Sequence, residues 1–165
     1  MSLVLRAATK ADVPVIRELI ELLADYEKLR HECIATDALL EAALFGARPY
    51  AEVVIAEWEG ASAGFALFFH NFSTFLARPG IYLEDLFVRP PYRGHGIGKA
   101  LLQYLAQQAV SRDCGRLEWS VLDWNEPALA FYRTLGARGM KDWIPHRVTG
   151  EALLTLAGGD PKTLG

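Results

Sequence analysis

An excess of positive charge is the first thing this chain lacks. Its 17 lysines and arginines face 20 aspartates and glutamates, for a formal net charge of -3. Without a basic block or tail, nucleic acid and anionic membranes are poor partners, and a cationic small molecule is the better match. Cysteine is scarce as well. Cys33 and Cys114 are too far apart for a metal-ligand or redox spacing, so two reduced thiols and no metal site are expected. No apolar run approaches the ~20 residues of a membrane helix. The start, Met1-Ser2-Leu3-Val4-Leu5-Arg6, turns polar too soon for a signal peptide, and a cytoplasmic location is the expectation. Two nucleotide-binding signatures are missing too. No Gly-Lys-Ser or Gly-Lys-Thr occurs, and no Gly-x-Gly-x-x-Gly falls in the first strand-turn-helix segment.

What is present reads as one domain over residues 1–165, with a frayed tail from about residue 158. Leu3, Leu5 and Ala7 alternate with Val4 and Arg6, predicting a first strand. Thr9 and Asp12 resemble a capping box, and Val13, Ile16, Leu19, Ile20 and Leu23 predict a helix running to about Lys28. Thr36 caps a second helix that ends near Gly46. Strands are predicted over 52–57 and 64–70, joined by a Gly-bearing hairpin, and over 81–88, 116–122 and 147–156. Leu101, Leu102, Leu105, Ala106 and Ala109 predict a long helix, and Asn125 caps another with Pro127 in its first turn. The fold class is α/β with a mixed, largely antiparallel sheet.

The informative stretch is Tyr82-Leu83-Glu84-Asp85-Leu86-Phe87-Val88-Arg89-Pro90-Pro91-Tyr92-Arg93-Gly94-His95-Gly96-Ile97-Gly98-Lys99. A strand enters a loop of three alternating glycines, and the loop enters a helix. Glycines allow close backbone approach to a ligand, and the helix start offers unpaired N–H groups and a partial positive charge. Arg93 and Lys99 add cations at either end. Such a turn suits phosphate oxygens.

Arg93-Gly94-His95-Gly96-Ile97-Gly98 resembles the pyrophosphate motif of the GCN5-related N-acetyltransferases. Tyr82 to Val88, Tyr92-Arg93-Gly94 and Trp124-Asn125-Glu126-Pro127 with Phe131-Tyr132 are similar to the diamine (spermidine/spermine) acetyltransferase branch. The resemblance implies a twisted, V-splayed sheet of about six or seven strands flanked by about four helices, acetyl-CoA as co-substrate, and a homodimer. It assigns Phe87, Val88, Arg93, Gly94, His95, Gly96, Ile97, Gly98, Lys99 and Asn125 to the co-substrate. Glu84 matches the acidic residue near the acceptor amine, and Tyr132 the general acid that protonates the departing thiolate. Tyr26 and Glu27 match an acceptor-binding pair.

These roles answer a chemical need. An alkylammonium with an ordinary pKa is neutral about one time in 2,500 at pH 7, a handicap of about 4.6 kcal/mol, so acetyl transfer benefits from a base. Asp85 adjoins Glu84 as a further anchor for a cation, and Trp143 is a candidate for stacking on an alkylammonium chain. Neither cysteine has a neighbouring base motif, so direct attack in a ternary complex is expected rather than a covalent route. The chain departs from the polyamine enzymes at Thr74, where they carry an acidic residue, while Arg78 adds a cation nearby. A lysine analogue or short diamine is therefore as much an expected acceptor as spermidine. Another amine, from an amino acid, aminoglycoside or protein, and a non-catalytic acyl-CoA-binding module remain the alternatives.

Overall fold

The computed structural model describes residues 2–159, which pack as two compact units divided after Leu122. The first holds β1 (Leu3–Ala7), α1 (Val13–Tyr26), α2 (Asp37–Phe45), β2 (Glu52–Trp58), β3 (Ala61–Ser73), β4 (Arg78–Val88), α3 (Ile97–Ser111) and β5 (Leu117–Trp119). The second holds α4 (Glu126–Thr134) and α5 (Gly150–Leu156). Among the described residues, no helix is long and apolar enough to cross a membrane.

Local sequence explains most boundaries. The Thr9 amide donates to the Asp12 carboxylate at 2.7 Å, and Arg6 grips the same carboxylate through two nitrogens at 2.8 and 2.9 Å. That pairing holds Asp12 down to a pKa of about 2. The Thr36 hydroxyl accepts from the Leu39 amide at 3.2 Å and starts α2. Glu59 and Gly60 both have positive φ, 52° and 84°, as a type I′ hairpin between β2 and β3 demands. The first helix ends at Tyr26 rather than Lys28, because Lys28 takes a left-handed φ of 62°.

The sheet order is β1-β2-β3-β4-β5. The first three pairings are antiparallel, and β4 pairs parallel with β5 through the α3 crossover. On one face, Ile16, Leu19 and Leu23 of α1 and Leu44 of α2 pack against Val53, Ile55, Phe65 and Phe87. Full burial of each such side chain stabilises by roughly 1.5–3 kcal/mol. On the other face, Leu86 approaches Gly98 of α3, whose Ile97, Leu101, Leu102, Leu105 and Ala109 are buried.

Three expectations need correction. The sheet has five strands among the described residues, fewer than six or seven, and five α-helices accompany it. The strand expected over 116–122 is shorter, Leu117–Trp119. The strand expected over 147–156 is instead a loop followed by α5, with Thr149 as N-cap. Its apolar residues Ala152, Leu153, Leu154 and Leu156 do not alternate, and Glu151, Ala152 and the leucines are good helix formers. At the start of the expected tail, the Gly158 and Gly159 amides donate to the Thr155 and Leu154 carbonyls and close α5. The remainder of that tail lies outside the described residues.

Candidate active site

β4 carries the site because its ladder slips. Leu67 pairs with Asp85 and Phe68 with Leu83, so β3 advances one residue while β4 advances two. Glu84 is the extra residue of a β-bulge. Before the bulge Ile81 and Leu83 lie opposite His70 and Phe68; after it Asp85 and Phe87 lie opposite Leu67 and Phe65. Side chains alternate across a strand, so the bulge turns Asp85 from the α3 face to the α1 face.

Glu27 is the C-cap of α1, reached on that same face. Burial raises the pKa of Asp85 to about 7, with the charges of Glu84 and Glu27 adding to the effect. Burial, then the charge of Glu84, raises that of Glu27. No cation of the described residues offsets either carboxyl group. Glu84 is thus gathered with two carboxyl groups that no cation of the described residues offsets, an arrangement an incoming ammonium relieves.

Asp85 makes a testable contribution to stability. Its folded-state pKa lies above the ordinary value of 3.8. Between the two, the native chain holds a proton that the unfolded chain has released, so stability falls as pH rises from about 4 to about 7. Asp85→Asn is expected to raise Tm by roughly 5 °C at pH 8 and to leave it nearly unchanged at pH 4. Thermal melts at the two pH values check this; equal shifts at both would contradict it.

The glycine turn follows β4. Gly94 and Gly96 have φ of 84° and 77°, and a Cβ at either would meet nothing within 4 Å. Backbone conformation, not crowding, requires glycine there, and the space beside the loop is open. Gly96 is the N-cap of α3 and provides no side-chain cap, so the first-turn amides of Ile97, Gly98 and Lys99 face outward with the helix dipole behind them. The Arg93 Nε donates to the Val88 carbonyl at 2.9 Å, and its guanidinium lies 5.3 Å from the Tyr26 ring centre and 5.4 Å from that of Phe87. This guanidinium joins the anion cradle to the end of α1, one residue from Glu27. A diphosphate fits the donor set.

The strands part beside this cradle. β5 last pairs with β4 at Trp119 opposite Leu83, while β4 continues to Val88. Just past that last pair the Tyr82 hydroxyl and the Ser120 hydroxyl meet at 2.8 Å. From Glu84 to Val88, the β4 edge toward β5 has no strand partner among the described residues. Such an edge can receive an extended amide-bearing chain.

The expected residues do not all act alike. Phe87 and Ile97 are buried, so only their backbones can meet a ligand. Glu27, Glu84, Asp85, Tyr26 and the turn 93–99 come together in the first unit. Asn125, Tyr132 and Trp143 belong to the second. There the Asn125 carboxamide accepts from the Ala128 amide at 3.4 Å and starts α4, as expected of a cap. Tyr132 lies in the last turn of α4 with its ring 5.8 Å from that of Phe131, and Trp143 is largely exposed. Sequence reasoning missed the bulge, although two adjacent acidic residues inside an apolar strand were its signal. It also missed Trp58, whose ring stacks on His95 with centres 4.7 Å apart.

Comparison with known proteins agrees with this geometry. The pattern of the Acetyltransferase (GNAT) family matches residues 16–137. The chain is 37% identical to L-ornithine N5-acetyltransferase of Arabidopsis thaliana, across 92% of this chain and 86% of that protein. It is 36% identical to thialysine N-epsilon-acetyltransferase of Sus scrofa, across 95% and 98%. Among solved structures, an integron cassette protein from the mobile metagenome of V. cholerae superposes with a TM-score of 0.79 at 28% identity, covering 95% of this chain and 98% of that one.

Proposed function

Because this chain belongs to the acetyltransferase (GNAT) family and is an N-acetyltransferase acting on amines, we propose that it acetylates a primary amine of a small cationic metabolite with acetyl-CoA as donor. The observation that carries this reading is the juxtaposition of an anion cradle with three carboxyl groups across the Arg93–Tyr26–Phe87 contact. One side suits a diphosphate and the other an ammonium.

Acetyl-CoA, when bound, supplies an activated thioester acyl group. The backbone amides from Gly94 to Lys99, with Arg93 and the Lys99 ammonium, hold its phosphates. The free edge of β4 at Phe87 and Val88 orients the acyl arm, and an N–H near Val88 polarises the acyl carbonyl. Glu84, turned out of the ladder by the bulge, takes the proton from the acceptor ammonium, directly or through one water, so that the amine attacks as a neutral nucleophile. The Tyr132 hydroxyl returns a proton to the departing sulfur, and Asn125 joins the co-substrate contacts. Glu27, Asp85, Tyr26 and Trp143 hold the acceptor, the carboxylates by charge and the rings by their faces. Attack is direct, with no acyl-cysteine.

Acceptor choice follows from Thr74. This residue lies in the β3–β4 loop where the polyamine enzymes carry a carboxylate, so a long polycation has one anchor fewer. Arg78 faces Asp113 at 3.8 Å, an exposed and weak pairing that leaves its charge near that loop. A substrate with two amino groups and a short span, such as thialysine or ornithine, matches three clustered carboxyl groups better. CoA release measured against thialysine, ornithine, spermidine and a lysine peptide tests this. Thialysine and ornithine are expected to exceed spermidine in kcat/KM by about tenfold, with the peptide inactive. Preference for the peptide would replace the small-amine reading with a protein-amine one.

A further inference from the structure

The cradle loop has a weakness that its glycines create. Gly94 and Gly96 both sit at positive φ with no contact that a side chain would make, so neither holds the loop in place. Glycine also loses the most conformational freedom on being fixed. Two side chains do the holding. Arg93 ties the start of the loop to β4 through the Val88 carbonyl. His95, the only side chain between the two glycines, stacks on Trp58 at 4.7 Å with a 27° interplanar angle. Trp58 is remote in sequence and is the last residue of β2. Its backbone is paired on both sides, with Leu3 of β1 and Ala61 of β3, and the tight Glu59-Gly60 turn follows at once. It is therefore a fixed platform, whereas His95 belongs to an exposed loop.

We propose that Trp58 is a positioning residue for co-substrate binding: through His95 it preorganises the Gly94–Gly96 backbone to receive a diphosphate. This inference rests on the reading of the turn as the acetyl-CoA cradle and adds to it a residue that no glycine motif contains. Without the stack, the loop samples conformations in which its amides diverge, and binding has to bear the cost of ordering them. Trp58 touches neither reacting group, so its loss acts on affinity and not on the chemical step. An aromatic pair of this kind has a worth that corresponds to about fivefold in affinity.

A double-mutant cycle on CoA affinity, read by calorimetry, tests the pairing. Trp58→Leu and His95→Ala are each expected to weaken CoA about fivefold. The double variant is expected to be no weaker than either single one, since both remove the same stack. Trp58→Phe keeps a stacking ring and is expected to stay within about twofold of wild type. KM for acetyl-CoA should follow these affinities, and in Trp58→Leu the KM for the amine and kcat at saturating acetyl-CoA should move by less than about twofold. Fivefold losses that multiply in the double variant, or an unweakened His95→Ala, would overturn the pairing; His95 is exposed, so that variant tests it even if Trp58→Leu fails to fold. Wild-type protein that binds no CoA would overturn the cradle itself and this inference with it. Wild-type binding with unaffected single variants would overturn only the role of Trp58.

Discussion

Replacing Tyr132 with phenylalanine is expected to lower kcat by about two to three orders of magnitude, with acetyl-CoA affinity within about twofold of wild type. The substitution keeps the ring that lies against Phe131 in α4 and removes one oxygen. If that hydroxyl protonates the departing sulfur, its loss leaves a thiolate to be expelled without a proton, and collapse back to reactants is favoured. If the hydroxyl only packs or binds, kcat barely changes and KM absorbs the effect. Steady-state kinetics with acetyl-CoA and a diamine, supported by CoA affinity from calorimetry, separate the two. Unchanged turnover would remove Tyr132 from the mechanism.

Arg93→Ala is expected to weaken acetyl-CoA binding by about tenfold to a hundredfold, the range of a lost charge-assisted contact. Two losses add here. One is the cation that the proposed cradle offers to a diphosphate. The other is the tether from the guanidinium to the Val88 carbonyl and the Tyr26 and Phe87 rings. Arg93→Lys keeps the charge but not the planar group that covers both rings, so it should recover only part of the affinity. Full recovery would mean that charge alone matters, and unchanged affinity in Arg93→Ala would contradict the assignment of the turn.

The departures from expectation at the strands share a cause. Periodicity reports whether a segment can lie with one face buried; it does not report which neighbour completes the ladder. Residues 147–156 contain enough leucine to suggest a strand, yet lack the alternation that a half-buried strand needs, and Thr149 starts a helix instead. Residues 116–122 do form a strand, but it ends at Trp119 because β4 and β5 diverge there. The helices fared better: α2 and α4 begin directly after their expected caps, Thr36 and Asn125, and α3 follows the glycine turn as expected.

What the linear sequence determined by itself is local. The caps at Thr36 and Asn125, the Glu59-Gly60 hairpin, the apolar stripe of α3 and the glycine turn at 94–98 all act within a few residues, where side chain and backbone meet without help from the rest of the chain. Tertiary structure alone decided that Asp85 faces α1, that Glu27 joins Glu84 and Asp85, and that Trp58 lies against His95. The orientation of Asp85 depends on a one-residue slip in strand pairing, and a slip reverses which face every later side chain of the strand occupies. Its energy lies in the partner strand and the packed helix, which no local pattern records.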